Sequence, residues 1–143
     1  MKRPPPPRRP AAHRANAAAP GAATRAAAAR VVDAVLHQGR SLRAELGPAQ
    51  AQFDDARDRA LVEAMCFAVL RAPARFGAAL DTWMTRPLPR RDSRVRALLM
   101  VGLAQLDPLG LPAHAAVAAT VDAARLLDAS HQAGLVNALL RRA

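Results

Sequence analysis

Between Thr24 and Arg142 apolar residues recur at helical spacing, and Gly or Pro cuts the pattern at short intervals. No stretch alternates strictly enough to form a strand. Thr24 is expected to cap a first helix through Ala28, Val31, Val32, Val35 and Leu36, closed by Gly39. Ser41 to Leu46 allows a short helix that Gly47-Pro48 should stop. Asp54 or Asp55 caps the next, near Arg57 to Arg71, with Leu61, Met65, Ala68 and Val69 on its apolar face. Pro73 favours a break, and a helix near Ala74 to Met84 carries Phe76, Leu80 and Trp83. After a loop at Pro87 and Pro89, Asp92 or Ser93 caps a helix whose stripe is Val95, Leu98, Leu99, Gly102, Leu103 and Leu106. Asp107-Pro108 and Gly110-Leu-Pro112 stop it. Val117, Val121, Ala124 and Leu127 mark the next helix, and Leu135, Val136, Leu139 and Leu140 the last. The pattern predicts an all-α bundle of about seven helices, with short connections that make sequential helices neighbours.

The core of such a bundle has to be built from small and aliphatic side chains. Only 3% of the 143 residues are aromatic and none is Tyr, while 52% are hydrophobic. Large rings bury the most area each, so Ala, Leu, Val and Met must compensate through many close helix contacts. One cysteine, Cys66, can form neither an internal disulfide nor a structural zinc site, which suits a reducing, cytoplasmic compartment. No run of 18 or more apolar residues suggests a membrane span.

Charge says more about partners. There are 21 basic and 11 acidic residues, a formal charge of +10, and every base except Lys2 is Arg. A GC-rich genome accounts for the choice of Arg over Lys but not for the excess of charge. That excess points to a polyanion, of which nucleic acid is the common case. Half of it sits in residues 1–24, where Lys2, Arg3, Arg8, Arg9 and Arg14 have no acid among them and Pro4 to Pro7, Pro10 and Pro20 cluster. This segment reads as a separate, disordered basic arm, dispensable for folding. A secretory signal is excluded by the absence of an apolar run. An organelle transit peptide shares the Arg excess, but the segment has no Ser.

Chemistry of the chain's own is not indicated. Cys66 lies in the apolar run Met65-Cys66-Phe67-Ala68-Val69-Leu70 and reads as a buried, inert thiol. None of the four His, at positions 13, 37, 114 and 131, forms a metal-binding i, i+4 pair, and His114 should sit in a first helical turn. Asp54, Asp55 and Asp58 fit a helix start for dipole reasons alone, and no Gly-rich phosphate loop is present. No catalytic residue, bound cofactor or metal is expected.

The bases are the candidate site. Arg86, Arg90, Arg91, Arg94 and Arg96 crowd one loop and helix start, offset only by Asp92. Arg71 and Arg75 flank the Pro73 break. Arg25, Arg30, Arg141 and Arg142 offer a second surface at the two ends of the folded region. With few aromatics to stack on bases, contact should be chiefly to phosphate and shape.

Several stretches share an order with a known family. They are Arg25-Ala-Ala-Ala-Ala-Arg-Val-Val-Asp-Ala-Val-Leu36, Cys66-Phe-Ala-Val-Leu-Arg71, Arg86-Pro-Leu88, Leu99-Met-Val-Gly-Leu-Ala-Gln-Leu106, Leu111-Pro-Ala-His-Ala-Ala-Val117 and Gly134-Leu-Val-Asn-Ala-Leu-Leu-Arg-Arg142. Together they resemble the NusB-like domain at the N-terminus of bacterial small-subunit rRNA cytosine-5 methyltransferases, over residues 25–142. The sequence departs from that pattern at Ala68 (usually Gly), Ala104 (usually aromatic) and Ala119 (usually Glu). The resemblance implies a NusB fold of two packed helical subdomains and an RNA partner, small-subunit rRNA. It also implies a catalytic domain after Arg142 that would use S-adenosylmethionine and a cysteine nucleophile. Cys66 does not match that cysteine, so the chain alone is expected to transfer no methyl group, as a fragment or a truncated gene product would.

Two other readings compete. A stand-alone NusB-type transcription antitermination factor, acting in regulation of transcription, has about this length. It usually carries an acidic Asn-Glu-Ala-Val type segment where this chain reads Ala118-Ala-Thr-Val121, and Arg86-Pro-Leu88 and Pro112-Ala-His114 favour the methyltransferase domain. A helical protein-interaction module, its charge serving solubility, is the third.

Overall fold

The structure, a computed structural model, describes residues 20–143. Seven α-helices follow in order: α1 (Ala22–Gln38), α2 (Leu42–Gln50), α3 (Ala56–Arg71), α4 (Pro73–Trp83), α5 (Ser93–Leu106), α6 (Ala113–Leu126) and α7 (Ala133–Arg142). Short 3-10 turns at Arg90–Asp92 and Ser130–Gln132 lead into α5 and α7, and no strand occurs among the described residues. The all-α bundle read from the sequence is therefore the observed fold. No described helix is long and apolar enough to cross a membrane.

Two helices form the centre. α1 packs against α2, α3, α5 and α6, and α5 against α1, α3, α4, α6 and α7. The sequence expectation placed one apolar stripe on α5, but burial runs unbroken from Ala97 to Gln105. A helix apolar all round belongs inside a bundle rather than on its surface. Small residues permit this crowding. Ala26 to Ala29 of α1 are all buried, and Ala68, Ala104 and Ala119, the positions that depart from the family pattern, are buried as well. A Cβ at Gly102 would lie 2.7 and 2.8 Å from the Leu140 methyls and 3.2 Å from Thr120 Cγ2. α5 therefore meets α6 and α7 closely at Gly102, where a larger residue would have to displace the Leu140 side chain.

Local chemistry sets most helix ends. Ser41 Oγ accepts from Ala44 N–H at 3.0 Å and starts α2. Asp55 Oδ1 accepts from Arg57 N–H at 2.8 Å and starts α3. Gly39 closes α1 in the left-handed conformation, φ 68°.

Three expectations are corrected. Gly47-Pro48 does not stop α2, which continues to Gln50. Both residues are exposed, and buried Leu46 and Ala49 on either side hold the helix together. Asp92 stands at the N-cap of α5 but makes no side-chain cap bond. Thr24 does not cap α1 either. The cap is Gly21, at φ 89°, and Thr24 lies buried in the first turn with its hydroxyl donating to Gly21 O at 2.7 Å.

The segment read from the sequence as a basic arm overlaps this first turn. Of the arm read at residues 1–24, residues 1–19 lie outside the described residues, and residues 22–24 are helical. Deleting residues 1–24 removes buried Ala22 and Thr24 and two oxygens that hold Arg25. The thermal midpoint of that deletion is expected to fall by roughly 5 °C or more below a chain cut before Pro20. Equal midpoints in a calorimetric comparison would keep the boundary at residue 24.

Candidate nucleic-acid interface

The loop before α5 is stiff because Pro87 and Pro89 fix two of its φ angles. Pro89 is extended (φ −65°, ψ 159°), and the 3-10 turn that follows projects Arg90 and Arg91 into solvent. No carboxylate lies within ion-pair distance of either, or of exposed Arg86, among the described residues. The positive end of the α5 dipole adds to this charge. A cleft of about 510 Å³ opens beside the turn, lined by Leu36, His37, Leu88, Pro89, Arg90, Ser93 and Arg96.

The rest of the run is less free. Arg94 is exposed, and its Nε reaches Asp33 Oδ2 only at 4.0 Å. Asp33 is buried and already accepts from Gln38 Nε2 at 3.3 Å, with His37 Nδ1 2.8 Å away. Arg94 therefore retains most of its charge for solvent or a ligand. Arg96 folds back over α4 to Asp81 Oδ1 at 3.1 Å, with Gly77 directly beneath its guanidinium. Sequence position alone grouped it with its neighbours, but its charge is locally neutralised.

The second surface read from the sequence is not assembled as expected. Arg25 is turned inward. Its Nε donates to Gln105 Oε1 at 2.8 Å, and its terminal nitrogen to Thr24 Oγ1 at 3.2 Å and Gly21 O at 3.4 Å. A Cβ at Gly21 would collide with this guanidinium. Burial lowers the Arg25 pKa, and the charge of Asp58 opposes that shift. Arg25 is therefore a core residue and leaves the candidate surface. Arg30 is exposed but donates to Leu126 O at 2.7 Å, satisfying a carbonyl at the end of α6. Arg141 is exposed and donates from Nε to Asn137 Oδ1 at 3.0 Å, while exposed Arg142 has no such partner among the described residues. Arg71, at the end of α3, is also exposed and without an ion pair among the described residues. Arg75 pairs with Asp107 and lies over the Phe76 ring, 5.5 Å from its centroid.

The chemistry-bearing residues are quiet. Cys66 is fully buried, with Sγ 3.9 Å from Ala28 O. Burial, then the charge of Glu63, pushes its thiol pKa up to about 12. The thiolate is the reactive form, so Cys66 in the native chain is expected to resist a thiol reagent at pH 8. Labelling at the rate of the unfolded chain would sink this. A raised pKa also means that stability present below the unfolded value is lost as pH climbs from about 9 toward about 12. No group of three His, Cys, Asp or Glu able to hold a metal occurs among the described residues.

One surface feature was missed from the sequence. Phe67 is 39% exposed, the one large apolar side chain left to solvent among the described residues. The signal was present. Val62, Met65, Cys66 and Val69 define the buried face of α3, and a residue two positions from Met65 is rotated about 200° away from it.

What the geometry defines is a basic, all-helical domain with a charged edge at the start of α5. The chain belongs to the NusB family, which it matches over residues 22–143. It is 60% identical over 129 residues to a Xanthomonas campestris protein named ribosomal RNA small subunit methyltransferase B, covering 90% of this chain and 30% of that relative. Proteins of the same name from Xylella fastidiosa and Escherichia coli are 56% and 38% identical, covering 86% and 82% of this chain. The chain spans about 30% of the length of these relatives.

Proposed function

We propose that this chain is the RNA-recognising domain of a small-subunit rRNA methyltransferase, acting in the cytoplasm on ribosomal RNA. The observation that carries this is the exposed run Arg86, Arg90 and Arg91, which have no carboxylate within ion-pair distance among the described residues, followed by Arg94, which reaches Asp33 only at 4.0 Å. Crowding cations in this way adds like-charge repulsion and creates a potential that attracts phosphate. The names of the relatives supply the RNA class. Methyl transfer, with S-adenosylmethionine as donor, is assigned to the remaining length of those relatives, and this domain contributes binding and orientation of the substrate. Arg71, Arg141 and Arg142 are the secondary contacts. A titration of the whole chain against a small-subunit rRNA hairpin at rising salt tests the reading. Affinity should fall steeply between 50 and 200 mM salt, as counterion release requires. Binding that is absent, or insensitive to salt, would replace it with a protein-interaction role.

A further inference from the structure

We infer that the groove beside Phe67 is a stacking subsite for an unpaired RNA base, with Arg71 holding the neighbouring phosphate. This rests on the RNA-binding reading above and adds a contact that charge alone does not supply.

The chain has three Phe and one Trp. Phe76 is buried, and Phe53 and Trp83 pack against the core. Phe67 is the exception, and it stands in a groove of about 520 Å³, a volume in the range of small-ligand sites. Ala60 and Ala64 on the preceding turns of α3 are too small to cover the ring, and Pro108 and Leu109 close the far wall. Arg71 lines the same groove one turn after Phe67, exposed and without a carboxylate in reach among the described residues. Arg75 also lines it, already paired with Asp107, and Glu63 is the single acid of the lining.

This combination selects the occupant. An apolar protein segment would cover the ring but would desolvate Arg71 against no partner. A nucleotide offers a π face to the ring and a phosphate to the guanidinium, the pairing that single-stranded nucleic-acid sites use. Pro108 and Leu109 follow the C-terminal end of α5, whereas Arg90 and Arg91 precede its start. An RNA engaging both therefore spans α5, about 21 Å for 14 residues. The duplex phosphates would face the start of α5, and an unpaired loop base would reach Phe67.

The test uses the whole chain with two probes, a short oligouridine strand and a fully paired RNA duplex. Phe67→Ala should weaken oligouridine binding roughly tenfold, leave duplex binding and the salt slope unchanged, and keep the circular dichroism of the parent. Phe67→Trp should retain the affinity. If Phe67→Ala changes neither probe, or both equally, the stacking site is overturned. If it changes neither while Arg90→Gln, Arg91→Gln and Arg94→Gln together weaken both, the RNA reading stands and the groove goes to a protein contact. If the parent chain binds no RNA, both readings fall.

Discussion

Replacing Arg90, Arg91 and Arg94 together by Gln is expected to weaken binding of a small-subunit rRNA hairpin about a hundredfold at moderate salt, at roughly 1 kcal/mol per phosphate contact. Each lost contact also removes its released counterions, so the slope of log affinity against log salt should flatten by about 1 unit per Arg. All three side chains are exposed, and Arg94 gives up only a contact at the limit of ion-pair distance. The triple variant should therefore keep its fold to within about 0.5 kcal/mol. Arg96→Gln is the matched control. It belongs to the same stretch of sequence, but its guanidinium is committed to Asp81. Its effect on RNA affinity should be the smallest of the set. If Arg96→Gln costs as much affinity as Arg90→Gln, the distinction drawn between free and paired bases is wrong. If the triple variant keeps both affinity and salt slope, RNA does not bind at this edge.

The elements were readable because their signals are local. Ser41, Asp55, Gly39 and Pro73 act within one turn of themselves, and the structure places helix boundaries at each. Where reading failed, tertiary packing had overridden a local preference. Pro48 is a helix breaker by its own geometry, yet two flanking buried residues carry α2 through it. Thr24 has the chemistry of a cap, but Gly21 reaches a left-handed φ at no steric cost and starts the helix first. The surroundings of the candidate bases were hidden from the sequence in the same manner. Five bases close in sequence do not share one environment, because Arg86, Arg90 and Arg91 precede α5 and within it Arg96 is turned about 200° from Arg94. Arg94 and Arg96 therefore meet different acids on different helices. Arg25 could not have been assigned inward from its neighbours alone, since the acceptor of its Nε lies 80 residues away in Gln105.

That acceptor carries the largest stability effect expected of a single polar side chain here. Gln105 is fully buried and ties three helices together. Its Oε1 accepts from Arg25 of α1, and its Nε2 donates to Thr120 Oγ1 of α6 at 2.8 Å and to Val101 O at 3.2 Å within α5. The Thr120 hydroxyl donates onward to Ala116 O at 2.7 Å. No described buried side-chain nitrogen or oxygen lacks a partner. A fully satisfied network of this kind is stable as a unit and costly to leave half made. Gln105→Leu removes the acceptor from a buried guanidinium whose charge cannot be discharged at ordinary pH. The expected loss is about 3 kcal/mol, or roughly 10 °C in the thermal midpoint for a domain of this size. Arg25→Met strands the Gln105 carbonyl oxygen instead and should cost about 2 kcal/mol. The double variant removes both ends of the bond, so its cost should fall short of the sum of the two by about 1 kcal/mol or more. The contact is shielded from solvent, so that shortfall should persist in high salt, unlike the effects at Arg90 and Arg91. Strictly additive losses in a denaturant-melt cycle would mean that Arg25 and Gln105 are buried side by side without depending on each other.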